Sequence, residues 1–221
     1  KGGYGVPGVP DWTGPAISLG IDAALRRLRT DRIDVFHLHS CPADVALRDD
    51  ILGALDAAMT QGKVRVAAYS GDNDDLARTV ASGRFGSIQT SINPFDQRGL
   101  GAVVPRAAAA GLGVIGKRPS GNAPWRFAHR PVGDYAEVYW TRMRAMGLDL
   151  SADEWQDRSL RFAAFAPGVS AIITGTRSRA HLAESAAHLA RGPLPEAEAE
   201  ALRRAFAAAS DKDDRGWDGQ I

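Results

Sequence analysis

The segment Ile33-Asp-Val-Phe-His-Leu-His-Ser-Cys-Pro42 carries two imidazoles to the end of what reads as a buried parallel strand. Val35, Phe36 and Leu38 supply the apolar content of a strand covered on both faces. His39 falls at the strand's C-terminal edge, where parallel barrels gather catalytic groups, and an imidazole there can direct or protonate a reacting oxygen. His37 lies deeper and reads as a core residue hydrogen-bonded to a neighbour. Four further strand ends are polar: Ser70, Asn93, Lys117-Arg118 and Thr176-Arg177. The last belongs to Thr174-Gly-Thr-Arg-Ser178, ahead of a helix. Backbone N–H groups at a helix start, joined by hydroxyls and a cation, suit a phosphate. The plainer reading is an N-cap at Ser178. Cys41, beside Pro42 and with no base paired to it, reads as a packing residue.

These groups need elements to hold them. Lys1 to Pro15 is rich in Gly and Pro and reads as loop, with Trp12 placed to line a substrate mouth. Leu19, Ala23 and Leu28, with Ala24 and Leu25 beside them, predict an amphipathic helix. After the histidine strand, Leu47, Ile51, Leu55 and Met59 predict a helix stopped by Gly62. Lys63 to Gly71 predicts a strand, and Asp72 or Asn73 caps a helix reaching Ser82. Further strands are expected over 87–92, 113–118 and 170–175. Helices are expected over 103–110, Val138–Met146, Ala152–Phe165, Arg179–Ala190 and Pro195–Ala208. Trp125, Trp140 and Trp155 read as core or loop anchors, and Asp211 to Ile221 as a polar, loose end. Strands alternating with helices predict right-handed βαβ units and a parallel sheet, an α/β fold. No Gly-x-Gly-x-x-Gly follows any strand, so the Rossmann fingerprint is absent.

Composition narrows the class. The 221 residues suit one domain, residues 1–221, with 44% hydrophobic and 24% charged side chains. Twenty-seven Lys and Arg against 26 Asp and Glu leave no basic stripe for nucleic acid. Cys41 is the only cysteine, which excludes an intramolecular disulfide and points to a reducing, cytoplasmic setting. No membrane span or signal peptide is expected, no metal-ligand cluster is singled out, and oligomeric state is not legible.

In order along the chain, several segments resemble the aldo-keto reductase family. They are Lys1-Gly-Gly-Tyr-Gly5, Leu28-Arg-Thr-Asp-Arg-Ile-Asp-Val-Phe-His-Leu-His39, Gly62-Lys-Val-Arg65, Tyr69-Ser-Gly71, Ile88-Gln89 and Asn93-Pro94. Gly175-Thr-Arg-Ser178 with His181-Leu-Ala-Glu184 completes the set. The resemblance covers nearly the whole chain and implies a (β/α)8 TIM-type barrel that uses NADPH to reduce small-molecule aldehydes or ketones. It assigns Lys1 and His39 to the catalytic group, where a Lys lowers the pKa of a proton-donating Tyr and a His directs the carbonyl oxygen. A charged terminus is the plainer reading of Lys1. Ser70 and Gln89 match the residues that hydrogen-bond the nicotinamide carboxamide. Lys117 stands where many members stack an aromatic on the nicotinamide, and Arg118 offers a guanidinium for a ring or a phosphate. Gly175, Thr176, Arg177 and Ser178 match the segment that holds the 2′-phosphate of NADP, with Arg179 adding charge. Glu184 and Ser185 match the adenine contacts, and His181 reads equally as a solvent-facing helix residue.

The chain also departs from the family. The family's catalytic Asp and Tyr precede its Lys, and Tyr4, Tyr69, Tyr135 and Tyr139 do not match that Tyr. Five strands against eight, and 221 residues against the roughly 250 of a full barrel, imply an incomplete barrel lacking its first strands, a fragment of an enzyme. Asp72, where the family carries Asn nearby, reads as a helix cap. Two rival readings stand beside the reductase: a non-catalytic NADPH-binding regulatory barrel, and a phosphosugar isomerase or lyase using Gly175 to Ser178 for substrate phosphate.

Overall fold

The computed structural model describes residues 1–213 and 216–220. Five strands form one open sheet in the order β1-β2-β3-β4-β5, interleaved with helices. Neighbours β1–β2, β2–β3 and β4–β5 are parallel. This is the α/β pattern of a TIM-type barrel, incomplete and not closed. The chain resolves into two compact units, Lys1–Thr90 with Arg106–Val114, and Ser91–Pro105 with Ile115–Gln220.

The first unit holds α1 (Gly14–Leu28), β1 (Ile33–His39), α2 (Ala43–Ala46), α3 (Asp49–Thr60), β2 (Val64–Ser70), α4 (Asn73–Ala81) and most of β3 (Ser87–Ser91). α1 begins earlier than expected. Thr13 caps it, Oγ1 accepting from Ala16 N–H at 3.3 Å, and Pro15 sits in the first turn, where no N–H is needed. Its buried face is also different: Gly14, Ala16, Ile17 and Ile21 are buried, while Leu19 and Leu28 are exposed. Close approach to α3 decides this, because a Cβ at Gly14 would lie 2.6 Å from Asp50 O. Small residues set which face docks, and the larger leucines are left outside. Ile51, Leu55, Leu76, Tyr69 and Ile88 are essentially inaccessible and form the apolar core, each such aliphatic side chain worth about 1.5–3 kcal/mol of burial. Gly62, at φ +71, ends the turn after α3 as expected.

The second unit holds α5 (Arg98–Gly101), most of β4 (Gly113–Lys117), a 3-10 turn at Pro124–Arg126 and α7 (Glu137–Met146). It continues with α8 (Ala152–Ala164), β5 (Ala171–Ile172), α9 (Arg179–Ala190) and α10 (Glu196–Ser210), and α6 (Val103–Ala109) bridges the division in sequence. Phe95, Tyr139, Met143, Trp155, Phe162 and Leu202 make its core, with Trp125 and Trp140 packed at the margin. The tryptophans are anchors, as their sequence context implied. Ser151 and Glu154 close a capping box on α8.

Two expectations change here. β5 is only two residues long, because its partner β4 ends at Lys117 and residues beyond Ile173 have no ladder to join. The polar end is not loose over its described part. Trp217 packs edge-on to Phe206 and under the Arg142 guanidinium, Arg142 donates to Asp218 O at 2.6 Å, and Gln220 N–H donates to Asp96 at 3.0 Å. One aromatic and a few backbone groups dock a segment whose composition is otherwise polar. Residues 214, 215 and 221 of that stretch lie outside the described residues.

Candidate active site

Strand register builds the site in the first unit. His39 pairs with Ser70, and Ser70 with Gln89, so the three side chains share one face and one layer. One pleat below, His37, Ala68 and Ser87 form the next layer. The loop before α1 completes the upper layer. Gly2 forms a parallel bridge to Leu38, its N–H donating to His37 O at 3.0 Å and its O accepting from His39 N–H at 3.1 Å. Glycine avoids a clash there, since a Cβ would lie 2.6 Å from the tip of the buried Phe36 ring and displace it. That bridge sets Lys1 over β2, where Nζ donates to Ser70 Oγ at 3.0 Å. It also sets Tyr4 beside β1, its hydroxyl 2.6 Å from His39 Nδ1. Lys1, His39, Ser70 and Gln89, separated widely in sequence, thus belong to one strand-end cluster.

Two buried atoms in these layers have no hydrogen-bond partner among the described residues: Gln89 Nε2 and His37 Nε2. An unpaired buried polar group of this kind costs about 1–3 kcal/mol. His37 is a core residue, as expected, but its Nε2 lacks the partner that reading supplied. Burial, then the positive charge of Lys1, lowers its pKa to about 4, so it is neutral at physiological pH. Asp72 stands at the N-cap of α4 in extended conformation. It makes no side-chain cap bond and instead accepts from Thr90 Oγ1 at 2.8 Å. Cys41 is buried, its thiol pushed up to about 12 by that burial, in keeping with a packing role. Tyr69, also buried, donates to Cys41 O at 2.6 Å.

The second unit carries the other sequence candidates. Arg118, in left-handed conformation, donates to Ser91 Oγ at 3.2 Å and to Gln220 O. Ser91 Oγ donates to the same carbonyl at 3.0 Å. Asn93 braces the turn, donating to Arg118 O at 3.0 Å and accepting from Phe95 N–H at 2.9 Å. Lys117 is buried on β4. Gly175, Thr176 and Arg177 are exposed ahead of α9, with Thr176 Oγ1 accepting from Ser178 N–H at 3.1 Å. Ser178 caps α9 through His181 N–H at 3.3 Å, which is the plainer of its two readings. Glu184 and His181 are exposed, while Ser185 is buried with its hydroxyl donating to His181 O at 2.8 Å. No group of three metal-ligating side chains occurs among the described residues.

Sequence reasoning missed two participants, Tyr4 and the Trp217–Gln220 segment. For Tyr4 the signal was its place in Gly-Gly-Tyr-Gly directly after Lys1; for the terminal segment it was a lone Trp in a polar run.

Residues 16–128 match the Aldo/keto reductase family. The chain belongs to that family. It resembles the holo form of aldo-keto reductase AKR11C1 from Bacillus halodurans with a TM-score of 0.69 at 19% identity, over 89% of this chain and 68% of that one. The apo form gives a TM-score of 0.70 at 19% identity, over 87% and 68%. At this identity the likeness is one of fold. No curated protein sequence matches the chain. Membership makes the fold that of an oxidoreductase family whose members generally bind a nicotinamide cofactor and act on small-molecule carbonyl compounds. No helix among the described residues is long and apolar enough to cross a membrane.

Proposed function

We propose that the protein reduces small-molecule aldehydes or ketones with NADPH as the hydride donor. The observation that carries this reading is the buried, unpartnered Gln89 Nε2 lying in the same strand layer as Ser70 and His39. A buried amide N–H left bare among the described residues, on β3 level with the end of β2, fits a ligand carbonyl oxygen such as that of a nicotinamide carboxamide, with the Ser70 hydroxyl beside it. When bound, the nicotinamide supplies hydride to the substrate's carbonyl carbon. His39 directs the carbonyl oxygen and relays to it a proton drawn from solvent, and the Lys1 ammonium favours the negative charge building there. Taken by itself, the second unit presents Gly175, Thr176, Arg177 and Ser178 at the exposed start of α9, and their likeness to the family's segment for the 2′-phosphate, with Glu184 and Ser185 for adenine, supports NADPH over other donors. Lys117 and Arg118 add cations at the end of β4.

The test is NADPH oxidation driven by a panel of aldehydes and ketones, with wild type and His39→Ala. A general acid or orienting imidazole contributes about 100-fold or more, so the variant should lose kcat by that order while still binding NADPH. Unchanged turnover in His39→Ala would remove His39 from the mechanism. Binding of phosphorylated sugars with indifference to NADPH would replace the reading altogether.

A further inference from the structure

We infer that Tyr4 is a positioning residue for His39, its hydroxyl donating to Nδ1 and so holding the imidazole in the tautomer that carries hydrogen on Nε2. The inference rests on the reading of His39 as the group that faces the carbonyl oxygen. Tyr4 Oη lies 2.6 Å from Nδ1, and the two rings stand 5.7 Å apart at 26°, so the contact joins a near-parallel pair.

The loop is built to hold Tyr4 there. Trp12 backs its ring at 5.6 Å and 55°. Trp12 itself is fixed by its N–H donating to Gly3 O, at φ +58. Gly3 makes that approach possible, because at φ +129 it takes a conformation few residues adopt, and a Cβ there would lie 2.0 Å from the Trp12 ring. Gly5 N–H donates to Asp11 at 2.9 Å and closes the loop, while Gly2 anchors its other end to the backbone around His37 and His39. Several independent contacts therefore converge on the position of one partly exposed phenol.

The chemical consequence follows from the imidazole. A neutral ring has one donor and one acceptor nitrogen, and the bond made by one nitrogen decides the state of the other. A phenol gives its hydrogen to an imidazole nitrogen more readily than it accepts one. With Nδ1 accepting, Nε2 presents N–H, which suits a carbonyl oxygen. In the opposite tautomer Nε2 would present a lone pair to the oxygen's own lone pairs.

The experiment is nitrogen-15 NMR of histidine-labelled protein, wild type and Tyr4→Phe, with His39 assigned through His39→Gln, beside kinetics of NADPH-dependent carbonyl reduction. Phenylalanine keeps the ring and removes only the hydroxyl. Wild type should show hydrogen on Nε2 and an Nδ1 resonance displaced by an accepted hydrogen bond. In Tyr4→Phe that resonance should move to its unbonded position, and kcat should fall about tenfold with NADPH affinity unchanged. Hydrogen on Nδ1 in wild type, an unmoved Nδ1 resonance in the variant, or an unmoved kcat in an active protein would each overturn the inference. A wild type that reduces no carbonyl compound would defeat the functional reading instead, and the nitrogen resonances would still decide whether Tyr4 holds His39.

Discussion

The two units treat their buried polar groups in opposite ways. In the second, the buried Asp157–Arg161 pair is fully partnered. Asp157 meets Arg161 at 2.9 Å, Arg191 at 3.0 Å and His188 at 3.1 Å, and Arg161 also donates to Gly192 O and Pro193 O, each at 2.7 Å. In the first, Gln89 Nε2 in the layer of His39 and His37 Nε2 in the layer below are buried with no partner among the described residues. Ser159 Oγ is bare among the described residues of the second unit, and a hydroxyl inside a helix costs less to leave unpaired than a buried amide on a strand. The contrast separates polar groups that hold the fold together from polar groups kept ready for something else.

Breaking the saturated network should have the largest effect. Asp157→Ala leaves the buried Arg161 guanidinium without its carboxylate, and chemical denaturation should show a loss of about 3–5 kcal/mol. A loss under ~1 kcal/mol would mean that the network is ornamental and the contrast empty. The unsaturated side should respond to pH. The folded pKa of His37 is lowered to about 4, below its ordinary value near 6.5. The unfolded chain therefore binds the extra proton between those values, and stability falls as pH drops through that window. The contribution lost is on the order of 2–3 kcal/mol. Comparing denaturation of wild type and His37→Leu from pH 7 to pH 4 should show a shallower decline in the variant, and parallel curves would contradict the assignment.

Gln89→Leu sharpens the comparison from the other direction. Removing a group that has no partner forfeits no bond, so stability should change by less than about 1 kcal/mol or rise. A large destabilisation would mean that Gln89 serves the fold. The smallest effect concerns Cys41. Held as a thiol by burial, with its pKa pushed up to about 12, it should resist alkylation at pH 8 until denaturant is added. Fast labelling of the native protein would contradict its burial.

The strand layer was legible in the sequence because it depends on residue type at strand ends. His39 and Ser70 each end a largely apolar run, and parallel pairing brings such ends together whatever separates them along the chain, whereas Gln89, in the middle of β3, was reached only through the resemblance to the family. Helix α9, with Ser178 before it, was readable over its whole length from the same kind of local pattern. The buried face of α1 was not. It is chosen by how closely Gly14 lets the helix approach Asp50 of α3, a tertiary contact with no trace in the spacing of Leu19, Ala23 and Leu28. The docking of Trp217 and Gln220 onto Arg142 and Asp96 was hidden for the same reason, since backbone groups supply most of its bonds. Tyr4 was set aside because it matched no expected position. Its role comes from a loop folded back on β1 by Gly2 and Gly3.

The central claim is that the strand-end layer of His39, Ser70 and Gln89 receives the nicotinamide carboxamide. Calorimetric titration of NADPH into wild type and Gln89→Leu tests it without requiring turnover. Wild type should bind, and the variant, equally stable, should bind at least tenfold more weakly through loss of one hydrogen bond in a buried site. Equal affinity in the two proteins, or no binding to wild type, would contradict it.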